Sequence, residues 1–345
     1  MRFLKHFLVQ IKLNQYNYTD LNINHLGKEN NRTMSFKKVV VAGGGVLGTQ
    51  IAFQAAYCGF DVTIWLRSQS SIGRTQPKLD IVKADYLSSI EGMKNGKGPW
   101  CMGIADPDSF DADACVKKVE AAYQNIKLEL DMKKAFENAD VVIESMSENK
   151  DAKIGFYKKA APLLDEKTIL LTNSSSMLPS TFAKYTGRPD RYLAMHFANE
   201  IWRNNTAEVM AQAKTNMKYF DETLAFAKDI RMIPLPVRKE KAGYLLNSML
   251  IPFLFAGLDL YAEGISDAAS IDAAWTHGTG APKGPLQICD VVGMKTCDEI
   301  VQMYLKIPSF LAPYHFKDIH KVLEKMIGEG KLGVMSGEGF YTYKK

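Results

Sequence analysis

The sequence has few cysteines and lacks any cysteine spacing that could bind a metal ion. Its five cysteines are odd in number, form no C-x-x-C pair and show no zinc-type arrangement with histidines. Neither a disulfide framework nor an iron–sulfur cluster fits this pattern, so no metal site is predicted. We expect reduced thiols and a cytoplasmic protein.

Long apolar runs and a strong excess of one charge are also missing. The most apolar stretch, residues 249–260, is shorter than the roughly 20 residues that a membrane helix needs. The net charge of +5 arises from 43 basic and 38 acidic residues that are interspersed. These features favour a soluble protein whose partner is a small molecule, with no membrane and no nucleic acid as partners.

A chain of 345 residues is long enough for two domains. Residues 1–34 are rich in asparagine and lack a hydrophobic period, so they are interpreted as a poorly ordered extension, with Met34 as the working start. Short β-branched runs then alternate with helical stretches as far as residue 237. The remaining residues, 238–345, show helical spacing only.

This alternation predicts the α/β class, with a Rossmann domain over residues 35–237 and an all-α C-terminal domain over residues 238–345. A doubly wound parallel sheet should carry a helical excursion within residues 72–122, with helices near 79–90 and 112–123. Strands are predicted at residues 37–43, 62–66, 141–144, 168–171, 192–195, 208–210 and 232–237, and helices also at 46–58 and 152–164.

A glycine-rich turn between the first strand and the first helix fits the G-x-G-x-x-G pattern. Gly43 permits a tight turn, Gly45 lets the backbone approach a pyrophosphate, and Gly48 lets helix and strand pack closely. Val46 and Leu47 open the helix, whose N-terminus attracts the anion. Because a strand, a helix and a second strand surround the pattern, it predicts a dinucleotide cofactor, although a purely structural turn is the alternative.

The second strand ends without the acidic residue that commonly grips the ribose 2′-hydroxyl of NAD. Leu66, Arg67 and Ser68 stand there instead. A guanidinium can pair bidentately with a 2′-phosphate, so Arg67 favours NADP. Arg67 could equally be a solvated strand end, and the cofactor is therefore expected to be NAD or NADP.

Polar residues follow two neighbouring strands where a catalytic centre is expected. Ser175 lies just after one strand and His196 ends the next, and ligands bind beyond the carboxyl ends of parallel strands. Glu208 begins another strand after a short connection, which could return its carboxylate to the imidazole. Such a histidine could take the proton of an alcohol during its oxidation. A structural histidine is the alternative.

Motifs in both predicted domains together resemble the 3-hydroxyacyl-CoA dehydrogenase family, over residues 38–343. They comprise the glycine turn, residues 144–149, 173–176, 196–199 and 243–247, Gly284-Pro285 with Asp290, and residues 336–341. The resemblance implies reversible oxidation of a 3-hydroxyacyl-CoA to a 3-oxoacyl-CoA, as in fatty acid metabolism. It also implies a homodimer formed through the helical domain.

The resemblance further implies roles for individual residues. His196 would be the general base and Glu208 its partner, while Ser175 and Asn247 would bind the substrate oxygen. The positions of Glu148, Lys153 and Asn199 match those that contact the nicotinamide cofactor in the family.

Alternatives remain for both substrate and function. Asn199 is followed by Glu200-Ile201-Trp202-Arg203, which departs from the usual family sequence and would place charge and an aromatic ring beside His196. A free 3-hydroxy acid or a carnitine-like substrate is therefore a second hypothesis, with Arg203 available to pair with a carboxylate or, instead, with Glu200. A non-catalytic dinucleotide-binding protein with a structural or redox-sensing role is a third.

Apolar residues of the helical domain also support the predicted dimer. Leu250, Phe253, Leu254, Phe255 and Leu258 lie close together in the helical domain. One helix face cannot bury so much apolar surface, so a partner subunit is expected to cover part of it. The alternative is an enlarged monomeric core.

Overall fold

The structure, a computed structural model, describes residues 36–343. These residues divide into two compact units after Leu245, here called the sheet unit (residues 36–245) and the helical unit (residues 246–343). Residues 238–245 thus belong to the sheet unit, beyond the predicted boundary at 237. The extension predicted for residues 1–34 lies outside the described residues. None of the described helices is long and apolar enough to cross a membrane.

The sheet unit contains one eight-stranded sheet with the strand order β3-β2-β1-β4-β5-β6-β7-β8. The strands are β1 (Lys38–Ala42), β2 (Asp61–Trp65), β3 (Lys127–Glu129), β4 (Val141–Glu144), β5 (Ile169–Thr172), β6 (Tyr192–Phe197), β7 (Thr206–Met210) and β8 (Ile233–Val237). The first six strands are mutually parallel. The chain order reverses between β1 and β4, which is where α/β sheets of this type bind ligands.

The prediction of a parallel sheet is confirmed for most strands and wrong for the far edge. β7 runs antiparallel to β6, and β8 runs parallel to β7. The connection from β6 to β7 is too short for the crossover that a parallel strand requires, which explains the reversal. β8 carries Pro234 and Pro236 and lies at the edge of the sheet, where a strand tolerates residues without a backbone donor.

Helices cover both faces of the sheet, and this explains the continuous apolar strands. The helices are α1 (Val46–Tyr57), α2 (Gln69–Lys94), α3 (Ala112–Asn125), α4 (Met132–Phe136), α5 (Lys150–Ala160) and α6 (Met217–Asp229). One core contains side chains of α1, α2, α3 and α6, and the other contains side chains of α4 and α5. In β1, Val39 and Val41 face the first core while Val40 faces the second.

The predicted helical excursion exists, but its first helix is longer than predicted. α2 has 26 residues and begins ten residues before the predicted start at Leu79. Its first turns are polar and Pro77 lies inside it, so the apolar period becomes visible only in its second half. β3 was not predicted, because it has one exposed and two half-buried residues and lacks a buried run.

The helical unit consists of α7 (Leu246–Ala262), α8 (Ala268–Thr279), α9 (Pro285–Val292), α10 (Met294–Gln302) and α11 (Phe316–Gly328). Two buried carboxylates organise it. Asp272 accepts hydrogen bonds from the N–H groups of Leu286 and Gln287 at the start of α9. Asp290 accepts hydrogen bonds from the N–H groups of Phe340 and Tyr341, which fastens the last described segment to α9. Two motifs of the family resemblance therefore serve the architecture of this unit.

The apolar cluster that suggested a partner subunit lies mostly inside the helical unit. Leu254, Phe255 and Leu258 are buried in the core of the unit, and Leu250 and Phe253 pack against that core. Contrary to the prediction, the chain buries most of this apolar surface by itself, because side chains of α8, α9, α10 and α11 form one core with those of α7.

Candidate active site

The glycine turn between β1 and α1 has the geometry of a ligand cradle. Gly43 has φ of +128°, a region that favours glycine. A Cβ atom on Gly43 would collide with the carbonyl group of Ser145, and one on Gly48 would collide with the Gly43 carbonyl oxygen. A Cβ on Gly45 would meet open space. The turn thus packs tightly on its protein side and leaves the backbone at the N-terminus of α1 open to an anion.

A cleft of about 280 Å³ opens beside this turn. Its walls are the glycine turn, the end of β2, one face of α2 and the loop after β4. The residues that line it are Gly43, Gly44, Gly45, Trp65, Leu66, Arg67, Ser71, Arg74, Thr75, Lys78, Ser145, Met146 and Ser147. The cleft lies where a doubly wound sheet binds a dinucleotide, so the residues present fit a nicotinamide cofactor.

The hairpin of β6 and β7 pairs His196 directly with Glu208. Nδ1 of His196 lies 2.9 Å from Oε2 of Glu208, and both side chains are at least nine-tenths buried. An ionised carboxylate only accepts hydrogen bonds, which assigns the ring proton to Nδ1 and leaves the lone pair on Nε2. The predicted approach of Glu208 to His196 is therefore present, and the imidazole is oriented for accepting a proton at Nε2.

Ser175 approaches the other nitrogen of the same ring. Its Oγ lies 3.0 Å from Nε2 of His196. Ser175 is in the loop that follows β5, here called the serine loop (residues 173–178). Glu148 holds this loop: its carboxylate accepts the Ser175 N–H at 3.0 Å and the hydroxyls of Ser174 and Ser176 at 2.7 and 3.2 Å. Glu148 was predicted to contact the cofactor, and the structure shows its bonds to the serine loop.

Tyr244 covers one face of the imidazole, and the sequence did not assign it a role. Its ring stacks on that of His196 with centroids 4.5 Å apart and planes 13° apart, and its hydroxyl donates to the Ser174 carbonyl at 2.8 Å. The next N–H, of Leu245, donates to Oε1 of Glu208 at 2.7 Å. Burial raises the pKa of the Tyr244 phenol, and the nearby charge of Glu208 raises it further, so the hydroxyl stays protonated.

The backbone of Tyr244 reinforces this interpretation. Its φ is +53°, a left-handed conformation that is uncommon for a bulky residue. Strain of this kind typically costs about 1–3 kcal/mol and persists where the surroundings fix it. The only sequence signal was the position of Tyr244 inside the motif of residues 243–247.

Lys153 lies in a buried polar cluster at the end of β4. Its ammonium group forms an ion pair with Glu144 at 2.6 Å, and the two side chains are 1% and 0% exposed. Glu144 also accepts bonds from the hydroxyls of Tyr157 and Thr172, at 2.9 and 2.8 Å, and from the Met146 N–H. The charge of Lys153 is thus engaged within the sheet unit, and the cofactor contact predicted for it stays a prediction.

The segment after His196 differs from the expectation in one respect. Trp202 is buried against the ring of Tyr86 and donates to Ser89, so it does not lie beside the imidazole. Arg203 pairs with Glu200 at 3.0 Å on the surface, as one of the two alternatives predicted. The prediction that this segment places an aromatic ring beside His196 was therefore wrong, whereas the extra charge predicted there stays a prediction.

Two other predicted site residues are placed as follows. Asn199 is exposed, and its carbonyl accepts a bond from the Asn204 amide at 2.8 Å. Asn247 lies in the first turn of α7, in the helical unit, and is partly buried. Its predicted contact with substrate stays a prediction.

Comparisons with known proteins identify the family of this chain. Residues 38–241 match the family model "3-hydroxyacyl-CoA dehydrogenase, NAD binding domain", and residues 243–343 match that of the C-terminal domain. The human mitochondrial hydroxyacyl-coenzyme A dehydrogenase is 29% identical over 89% of this chain and 91% of its own. The 3-hydroxybutyryl-CoA dehydrogenase of Clostridioides difficile is 28% identical over 89% of this chain and 100% of its own.

Solved structures extend the likeness to the fold. A diketoreductase, described as a catalyst of dicarbonyl compounds, is 38% identical and covers 90% of this chain and 100% of its own with a TM-score of 0.78. The (S)-3-hydroxybutyryl-CoA dehydrogenase of Ralstonia eutropha is 25% identical with a TM-score of 0.70, at 90% and 100% coverage. The glycine turn, the mostly parallel sheet and the His196–Glu208 pair are consistent with the two family models. Because these models match residues 38–241 and 243–343, this chain belongs to the 3-hydroxyacyl-CoA dehydrogenase family.

Proposed function

We propose that this protein catalyses the reversible oxidation of a 3-hydroxyacyl-CoA to the 3-oxoacyl-CoA. The observation that carries the proposal is the placement of His196 between Glu208 and Ser175, at 2.9 and 3.0 Å. Membership of the family and relatives named for 3-hydroxyacyl-CoA and 3-hydroxybutyryl-CoA support it. The chain is thus an oxidoreductase that acts on a CH–OH group.

Each residue has a chemical task in this reaction. Nε2 of His196 takes the hydroxyl proton of the substrate, and Glu208 stabilises the charge that then forms on the ring. Ser175 donates a hydrogen bond to the substrate oxygen, and Asn247 of the helical unit supplies a second one, which lowers the energy of the developing alkoxide. The chemistry that a bound nicotinamide supplies is acceptance of the hydride from the alcohol carbon.

The cofactor site comprises Gly43, Gly45, Val46, Leu47 and Gly48 at the glycine turn. Glu148, Lys153 and Asn199 match cofactor-contacting positions of the family. We propose that Glu148 and Lys153 influence cofactor binding indirectly. Glu148 would act through the serine loop, to which it bonds, and Lys153 through Glu144, with which it forms an ion pair.

We propose NADP as the preferred cofactor, with NAD as the alternative. Arg67 lines the cleft at the end of β2, where NAD-binding folds of this type commonly have an acidic residue. A guanidinium at this position suits a 2′-phosphate better than a ribose hydroxyl.

A spectrophotometric assay tests the activity. Purified protein with acetoacetyl-CoA and either NADH or NADPH should oxidise the cofactor, so the absorbance of the reduced nicotinamide should fall. His196→Ala should lower kcat by roughly 10²–10⁴-fold, because general base catalysis is worth about that much, while cofactor affinity stays unchanged. His277→Ala, at an exposed histidine of α8, is the matched control and should retain activity. No turnover with either cofactor would reject the CoA substrate.

A second candidate substrate is a dicarbonyl compound or a free 3-hydroxy acid without CoA. The 38% identity to the diketoreductase, over nearly the whole chain, favours the dicarbonyl compound. A carnitine-like or carboxylate substrate has less support, because Arg203 already pairs with Glu200. Turnover of a dicarbonyl compound that lacks CoA in the same assay, without turnover of acetoacetyl-CoA, would select this candidate. Cofactor binding without turnover of any of these substrates would instead select the non-catalytic alternative.

We propose that the C-terminal domain predicted over residues 238–345 closes over the substrate and forms a homodimer in the cytoplasm. Exposed apolar side chains of the helical unit, among them Met249, Trp275 and Phe310, support an interface there. Light scattering coupled to size-exclusion chromatography should give the mass of two chains, and Met249→Glu should shift it to that of one.

A further inference from the structure

One face of α2 is turned toward the cofactor cleft. Ser71, Arg74, Thr75 and Lys78 follow one another at helical spacing and all line the cleft. The buried Thr75 hydroxyl donates to the Gly44 carbonyl at 3.3 Å, which fixes the helix against the glycine turn. The two cations of this face are therefore held beside the end of β2.

The positive charges of the cleft have no acidic partner among the described residues. Arg74 donates to the neutral hydroxyls of Ser70 and Ser71, at 3.2 and 3.0 Å, and Lys78 donates to a backbone carbonyl. Neither these side chains nor Arg67 take part in an ion pair of the described part of the chain. None of the residues that line the cleft is acidic.

The carboxylate at the end of the neighbouring strand forms no ion pair with these cations. Glu129, the last residue of β3, accepts the N–H groups of Leu130 and Asp131, at 2.8 Å each. Both bonds end on Oε1, and Glu129 takes part in no ion pair of the described residues. Three cations line the cleft, two from α2 and one from the segment that follows β2, and a bound anion would be attracted to all of them.

We infer that Arg74 and Lys78 complete, together with Arg67, a binding site for the 2′-phosphate of NADPH. The inference rests on the proposed function, in which this cleft holds a nicotinamide cofactor. The adenosine ribose of a dinucleotide lies at the end of the second strand in this fold, beside Arg67. A ribose hydroxyl needs no cation, whereas a phosphate monoester carries up to two negative charges, which match guanidinium groups. The serines beside Arg74 add neutral donors for the same oxygens.

Calorimetric titration of the whole protein tests the site without turnover. NADPH and NADH are titrated first, followed by adenosine 2′,5′-bisphosphate and AMP as fragments that lack the nicotinamide. The variants are Arg74→Ala, Lys78→Ala and the double variant. Lys94→Ala is the control, because this exposed lysine is at the far end of the same helix. Thermal melts establish that each variant is folded.

We expect NADPH and the 2′,5′-bisphosphate to bind more tightly than NADH and AMP. Arg74→Ala should weaken both 2′-phosphate ligands on the order of ten-fold or more, because a charge-assisted hydrogen bond is lost, and should leave NADH within two-fold. Added salt should weaken NADPH more than NADH. Tighter binding of NADH, or an equal loss for both cofactors in the variants, would overturn the phosphate site alone. Binding of neither cofactor would overturn the proposed function itself.

Discussion

Replacing Lys153 by methionine tests whether this lysine acts on Glu144 or on the cofactor. The substitution removes a buried ammonium group, and the Glu144 carboxylate, which is 0% exposed, is left without its cation. Breaking a buried ion pair from one side costs about 3–5 kcal/mol. Three donors to Glu144 remain, from Tyr157, Thr172 and Met146, so we expect a loss near the lower end, about 3 kcal/mol.

The assay is thermal unfolding followed by circular dichroism. For a domain of this size about 3 kcal/mol corresponds to a midpoint lower by roughly 6–12 °C. Lys159→Met, at an exposed lysine of the same helix, should change the midpoint little. Adding Glu144→Gln to Lys153→Met should restore part of the stability, because the unpaired buried charge is then removed. If Lys153→Met keeps wild-type stability but loses NADPH and NADH binding, the lysine acts on the cofactor and our reasoning fails.

Three further predictions follow from other contacts. Tyr244→Leu should reduce kcat roughly ten-fold, because His196 loses its stacked partner, whereas Tyr244→Phe should keep most activity; equal kinetics of the two would contradict this. Burial raises the pKa of Asp140, but bonds from the Lys167 ammonium and two backbone N–H groups outweigh it, so the folded-state pKa is lowered. The Asp140 carboxylate therefore stabilises the fold above about pH 4, and this contribution is lost as the pH falls. In urea unfolding, Asp140→Asn should lower the free energy of unfolding at pH 7 and lower it less in acid. Gly48→Ala should destabilise the fold and weaken cofactor binding, since its Cβ would meet a backbone carbonyl oxygen; unchanged melting would refute the tight packing of the turn.

The sequence predicted the parts of the site that depend on local patterns. The glycine turn could be found because a buried strand, a turn and a helix follow one another within a few residues. The pairing of His196 with Glu208 could be predicted because only a short connection joins β6 to β7, so the chain must return beside itself. The mostly parallel sheet followed from apolar runs that are buried on both faces.

Only the tertiary structure decided which distant residues meet. Tyr244 is 48 positions from His196 and reaches it through a left-handed backbone conformation that no periodicity indicates. Arg74 and Lys78 face the cleft because Thr75 fastens α2 to the glycine turn. The sequence did not indicate this, because the first turns of α2 are polar and show no hydrophobic period. Hydrophobic periodicity reports which face of an element is buried, whereas charge pairing depends on how separate elements pack. For this reason a lysine predicted for the cofactor proved to be paired with Glu144 inside the protein.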